Sequence, residues 1–306
     1  MLAGYNQSVI EATILTAIRA RLAVALASPC EKYRPFCVGN NIVGWVGDER
    51  ARRLAHFSDV FAVDNHAVAF LAPVADAAAR TAALAAVAAR LAAEGELTAW
   101  RNERYPVALR FGDTPLFLLE RAAARYFGIR TYAAHVNGIV AGTPLRMWVA
   151  RRSAAKAIDP GLLDNLIGGG IAAGVGVAAT VLKEAWEEAG IPATFAREAI
   201  ATGAVHVCRT CPDGLQWETI FTHDLWLSPE FVPHCQDGEA IAHRLVDLPE
   251  AARLIALAGG ADVVTADASL VILDCLLRHG LIAPDAPDYL ALEALRHSAA
   301  HDAPRA

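Results

Sequence analysis

The chain has 306 residues, 55% of them hydrophobic and 20% charged, with a formal net charge of −6. That is room for two domains, and the composition is too apolar for a disordered chain. The acidic balance excludes a dedicated nucleic-acid binder, and a phosphate-bearing substrate would need metal cations to be held.

Near the N-terminus, residues 22–27 follow Arg19 and Arg21 and loosely resemble a secretory signal segment. The run is short, starts late and lies downstream of Glu11. Ile10, Ile14, Ala17, Ile18 and Leu22 fall at helical spacing and predict an amphipathic surface helix instead. Residues 42–46 predict a strand, 51–57 a short helix, and 60–71 two strands around the turn Asp64-Asn65-His66. A long Ala-rich helix over 76–94 stops at Gly95. A strand over 105–111 and a helix over 118–127, closed by Gly128, complete a smaller α+β unit, residues 1–130, with Trp45 and Trp100 in its core.

The second unit, residues 131–285, opens with a predicted hairpin: strands at 132–140 and 145–150 joined by Ala141-Gly142-Thr143-Pro144. Asn165 to Leu182 is 18 residues without a charge. It holds five glycines and no flanking Trp or Tyr, so it reads as a glycine-rich loop running into a helix rather than a membrane span. Strands follow at 199–207 and 217–227, then helices at 248–258, 267–278 and 288–298. Residues 286–306 form the last helix and a tail that frays from His301. Strands and helices mix without strict alternation, which predicts an α+β or three-layer α/β/α domain. Cys208-Arg209-Thr210-Cys211 has no second such pair, so the six cysteines read as reduced thiols of a cytoplasmic protein rather than a zinc site or disulfide scaffold. Trp217 and Trp226 read as strand core, with stacking on a heteroaromatic ring as the functional alternative, and His135 reads as structural.

The chemistry concentrates between Gly168 and Pro192. Ala178, Leu182, Ala185 and Ala189 make one apolar helical stripe, and Gly190 stops the helix. Glu184, Glu187 and Glu188 are neighbours at i,i+3 and i,i+4 on another face. Like charges so placed repel, unless solvated or bridged by a divalent cation, which takes carboxylate and phosphate oxygens. Arg151, Arg152 and Lys156 are either phosphate clamps or plain surface cations. Gly168-x-Gly170-x-x-Ala173 loosely matches a dinucleotide fingerprint, but Asp164 lies too near it and the later acids sit inside the helix.

Gly169, then Lys183-Glu184-Ala185-Trp186-Glu187-Glu188-Ala189-Gly190-Ile191, closely resembles the Nudix box, with six of nine fixed positions in register. Val175 replaces the first box glutamate, Lys183 the arginine and Ala185 an aliphatic residue. Phe36-Cys37-Val38-Gly39, Trp100 to Val107, His135-Val136-Asn137-Gly138 and Asp237-Gly238-Glu239 resemble a Nudix subfamily with an extra N-terminal domain. That subfamily is related to fungal thiamine pyrophosphokinases and to plant chloroplast homologues. The resemblance implies a Nudix α/β/α sandwich with a mixed sheet behind the smaller N-terminal α+β domain. It implies Mg²⁺- or Mn²⁺-dependent hydrolysis of a small-molecule diphosphate, oxidised thiamine diphosphate analogues among them, to monophosphate and phosphate. Glu184, Glu187 and Glu188 would be metal ligands, and Glu239 a further ligand. Glu184, Glu188 and Glu239 would serve catalysis, with Gly169, Gly170, Arg151, Arg152 and Lys183 toward substrate. No nucleic-acid or membrane partner is implied, and the apolar helices would suit a homodimer. Val175 and Lys183 motivate the rival reading, a catalytically impaired Nudix-like module that binds a ligand or a protein.

Overall fold

The computed structural model describes residues 10–27, 33–71 and 76–297, so the tail from His301 lies outside the described residues. The first helix is α1 (Ala12–Ala25), and its buried face is Leu15, Ile18 and Leu22. Two strands, β1 (Tyr33–Val38) and β2 (Asn41–Gly47), pair antiparallel. They are followed by α2 (Asp48–Leu54), β3 (Phe61–Val63) and β4 (Val68–Phe70). The four strands make one sheet in the order β2-β1-β4-β3. Its turn at 64–67 is set by Asp64, whose Oδ1 accepts from the amides of His66 and Ala67 at 2.7 and 2.8 Å. Helix α3 (Ala77–Ala93) starts where Asp76 caps the Ala79 amide. Phe36, Phe61, Phe117 and Phe127 are buried together at the centre of this unit. Trp45 is buried as expected, but Trp100 is 40% exposed and its indole donates to Asn102 at 2.8 Å.

Where a helix is predicted over 118–127, the chain makes a strand. β5 (Arg104–Val107) pairs antiparallel with β6 (Phe117–Glu120), and only residues 121–123 continue helically, as a 3₁₀ turn. Tyr105 stands opposite Leu119 and Val107 opposite Phe117. Burying these pairs against the Phe cluster overrides the helix propensity of Leu and Ala.

The second unit begins with β7 (Arg130–Val140), β8 (Arg146–Arg152), β9 (Leu163–Asn165) and β10 (Ile167–Gly170). Then come α4 (Val177–Ala189), α5 (Ala193–Ala196), β11 (Ile200–Cys211), β12 (Gly214–Leu227) and β13 (Ala240–Asp247). Helices α6 (Leu248–Ala256), α7 (Ala266–Arg278) and α8 (Tyr289–Leu295) close it. The sheet runs β11-β12-β7-β8-β13, with β9 on β8 and β10 on β7. It is mixed: β12 lies parallel to β7, the other pairs antiparallel. Successive β7 and β8 residues divide between its faces. Ala133, Ile139 and Met147 pack beneath α6 and α7, while Ala134, Val140 and Trp148 pack beneath α4. This is a three-layer α/β/α sandwich around a mixed sheet, with the smaller α+β unit before it.

Three expectations are corrected here. Gly168, Gly169 and Gly170 are strand rather than loop, in register with His135, Ala134 and Ala133 of β7. The buried stripe of α4 is Thr180, Val181, Ala185 and Ala189, while Ala178 faces solvent. Helix α1 does not pack on the unit that follows it; its apolar face joins α6 and α7 in the core of the second unit. Arg21 fixes it there, donating to the Ile255 carbonyl (2.6 Å) and to Ser269 Oγ (2.8 Å).

Candidate active site

Helix α4 carries the clustered glutamates and ends as the sequence requires. Gly190 takes the left-handed conformation at φ 66°, its amide donates to the Trp186 carbonyl and the Ile191 amide to the Ala185 carbonyl, both at 2.9 Å. A β-carbon at Gly190 would lie 2.8 Å from the His234 carbonyl oxygen, so both conformation and space demand glycine.

The buried face of α4 presses Glu184 and Glu188 onto β10. The Glu188 carboxylate accepts from the Gly168 amide at 2.7 Å. A β-carbon at Gly169 would stand 2.4 Å from Glu184 Cδ, so the missing side chain is the space that Glu184 occupies. Burial pushes the Glu184 carboxyl up, against the pull of Lys183. Burial pushes Glu188 well above the usual carboxylate range, against the Gly168 amide and with the charges of Asp164 and Glu184 adding to it. Glu187 stands apart: Lys183 Nζ bridges Glu184 (3.0 Å) and Glu187 (2.9 Å) and leaves Glu187 half-exposed. The three helix glutamates therefore do not converge on one point. Two of them, with Asp164, surround Gly168 and Gly169. Neighbouring carboxylates that raise one another have the oxygen chemistry of hard-cation ligands, but the oxygens of Glu184, Glu188 and Asp164 do not all lie within 4.8 Å of one another, and the Lys183 ammonium stands between Glu184 and Glu187.

Glu239 approaches from the loop before β13. Lys156 is in direct ion contact with it, and Arg101 of the first unit reaches its other oxygen at 3.4 Å. Against its burial, these cations hold the Glu239 carboxyl below its ordinary value. Arg152 binds Asp164 (2.6 Å) and faces the same cleft. Arg151 points elsewhere: it holds the Gly161 carbonyl (3.0 Å), Ala261 and Asp262, and does not line the cleft. Its expected place beside substrate is thereby corrected. Val175 is exposed in the turn before α4 and brings no carboxylate.

The cleft lies between the two units. It is lined by Gly168, Gly169, Gly170 and Glu184 of the second unit and by Tyr105 and Arg121 of the first. Gln216, Trp217, Glu218 and Asp267 line it as well. Gln216 Nε2 donates to both Glu218 and Asp267 at 2.9 Å, and the Arg130 guanidinium lies 4.2 Å from the Trp217 ring. Trp217 borders the cleft while packing against the buried cluster of Tyr33, Trp45, Cys208 and Leu215, whereas Trp226, 45% exposed, is not core. His135 is buried beside Gly168, donates from Nδ1 to Asn165 Oδ1 at 2.8 Å, and also lines the cleft.

Tyr105, Arg121, Gln216 and Asp267 are among the cleft residues that sequence reasoning passed over, and Asp164 was given no role there. Trp100 to Val107 carried a resemblance but no chemistry, because its partners lie far away in the chain. Among the described residues, one group of His, Cys and acids brings its ligand atoms within 4.8 Å: Asp224, Cys275 and His279. Arg278 occupies Asp224 at 2.6 and 2.9 Å, which makes this group an ion-pair network. Cys208 and Cys211 are buried, with no zinc ligand set around them among the described residues.

The family model described as NUDIX domain matches residues 131–267, and one described as a domain of unknown function, DUF4743, matches residues 16–131. Nudix hydrolase 24, chloroplastic, of Arabidopsis thaliana is 37% identical over 85% of this chain and 72% of its own length. Nudix hydrolase 20, chloroplastic, of the same plant is 36% identical with the same coverage. An uncharacterised protein of Saccharomyces cerevisiae is 35% identical over 65% of this chain and 61% of its own. The two plant relatives are chloroplastic, so the cytoplasmic placement read from the cysteines does not stand. Box, helix, sandwich and relatives agree, and the chain belongs to the Nudix hydrolases, enzymes that hydrolyse diphosphate-linked compounds.

Proposed function

We propose that this chain is an Mg²⁺- or Mn²⁺-dependent hydrolase that cuts the diphosphate of an amino-heterocyclic compound, with oxidised thiamine diphosphate analogues as the first candidates. The observation that carries the reading is the gathering of Glu184, Asp164 and Glu239 with Arg152 and Lys156 along a single cleft beside Gly168 and Gly169, with Glu188 behind it on the Gly168 amide. Gln216, Glu218 and Asp267, which line the same cleft, offer acceptors to the ring amino group of such a substrate.

Glu184, Glu188 and Asp164 would hold the dication, which would neutralise diphosphate charge and make water a stronger nucleophile. Arg152 and Lys156 face the phosphate and hold it in line for attack. Water adds to one phosphorus, the bridging P–O bond breaks, and the products are the organic monophosphate and phosphate. Glu239, kept ionised by Lys156 and Arg101, or Glu184 accepts the proton that water loses. Lys183 restrains Glu184 from the side as a point charge where the box arginine would give a planar fork.

The test is a panel of diphosphate-linked metabolites, including thiamine diphosphate and its oxidised forms, assayed for Mg²⁺-dependent phosphate release. Glu188→Gln should lower the rate on the best substrate by about a hundredfold or more. An unchanged rate would remove Glu188 from the machinery. Saturable diphosphate binding with no release from any compound would favour the impaired module that Val175 motivates, and a rate gain in Val175→Glu would locate the impairment.

A further inference from the structure

We propose that the N-terminal unit builds half of the diphosphate pocket, with the Tyr105 hydroxyl and the Arg121 guanidinium contacting the substrate's diphosphate directly. The inference rests on the diphosphate reading of the cleft, and it gives the domain of unknown function a task of its own.

Tyr105 enters from β5 and is only 6% exposed as a residue; its hydroxyl, without a hydrogen-bond partner among the described residues, is not one of the fully enclosed polar atoms and opens onto the cleft. A phenol that opens onto a cleft is free to donate to what binds there. This one lines the cleft, aimed at β10 from the side opposite Glu184. A β-carbon at Gly170 would lie 2.0 Å from Tyr105 Oη, just as one at Gly169 would lie 2.4 Å from Glu184 Cδ. Consecutive strand residues point to opposite faces, so the two glycines open β10 to a carboxylate on one face and a phenol on the other. Gly170 thus answers to a residue of the other unit.

Arg121 completes the wall. Its guanidinium lies 5.8 Å from the centre of the Tyr105 ring, and NH1 donates to Glu103 at 2.7 Å. Nε and NH2 carry no hydrogen bond among the described residues. Across the cleft Arg152 and Lys156 are engaged by Asp164 and Glu239, so Arg121 brings a fork with donors to spare. Both Tyr105 and Arg121 are near enough to Glu184 to feel its charge. A planar fork and a phenol donor, on a cleft that Glu184 also lines, suit two adjoining phosphates.

Imidodiphosphate, which cannot be hydrolysed at its P–N–P bridge by the same route, is the probe. It is titrated calorimetrically into the full chain in Mg²⁺. Tyr105→Phe keeps the ring and removes only the hydroxyl; Arg121→Lys keeps the charge and removes the fork. Each should weaken binding about tenfold with an unchanged melting temperature, while Arg110→Gln, exposed on the same unit outside the cleft, should bind as the wild type does. Wild-type affinity in both cleft variants overturns the proposal and leaves the hydrolase reading intact. Weakened binding in both, together with no turnover of any diphosphate by the wild type, sinks the hydrolase reading and leaves the two-unit pocket standing.

Discussion

A single methyl group at Gly169 would collide with Cγ and Cδ of Glu184, each 2.4 Å away. The clash falls on the end of a flexible side chain rather than on backbone. Gly169→Ala should therefore displace the carboxylate while the fold absorbs the change, lowering phosphate release about tenfold or more with a stability change under about 1 kcal/mol. Paired steady-state kinetics and urea melts check it; an active Gly169→Ala enzyme would mean that Glu184 has no fixed place. The requirement for glycine, and the acids at 184 and 188, could be read from spacing, because one helix and one strand present them. The positions of Glu187 and Arg151 could not. Each has a closer partner, Lys183 for one and Asp262 for the other, that a spacing rule does not weigh.

Helix α7 is buried along most of its length, and its C-terminal end is tied to the sheet by charge. Arg278 donates to Asp224 on β12 at 2.6 and 2.9 Å, and His279 Nε2 donates to it at 3.0 Å. Asn137 Nδ2 donates to the same carboxylate at 3.1 Å and links it through Asn165 to His135. Despite burial, His279 and Arg278 hold the Asp224 carboxyl far below the usual carboxylate range. A carboxyl depressed in the folded state adds stability above its unfolded value, about 4, and that stability is lost as pH falls. Asp224→Asn should cost about 2 kcal/mol at pH 7. Urea midpoints of variant and wild type should draw together between about pH 4 and pH 2. A gap that stays constant down the acid limb would mean the charge of Asp224 contributes nothing. Elements such as α3, with its Asp76 cap, could be read locally. Strands β6 and β10 could not. β6 has the composition of a helix until β5 lies beside it, and β10 has that of a loop until His135 and Tyr105 fill the space its glycines leave.

The two units are legible as a change of pattern near residue 130, but the joint between them is not, because it is made by backbone approach and by distant segments. A β-carbon at Gly128 would lie 2.0 Å from the Trp45 carbonyl oxygen, and one at Gly214 would lie 2.0 Å from that of Arg125. Tyr33 and Trp45 of the first unit share a buried cluster with Cys208 and Leu215 of the second. Helix α1 precedes the first unit in sequence and lies in the core of the second. Such a chain should unfold as one cooperative body. Leu22 of α1 is fully buried in the second unit's core, so Leu22→Ala should remove about 3 kcal/mol. If the joint couples the units, that loss appears in both. Amide exchange followed by mass spectrometry should then speed up in β4 of the first unit as much as in β8 of the second. Faster exchange in β8 alone would mean the units open independently, and the cleft between them would be a contact that forms after folding rather than part of it.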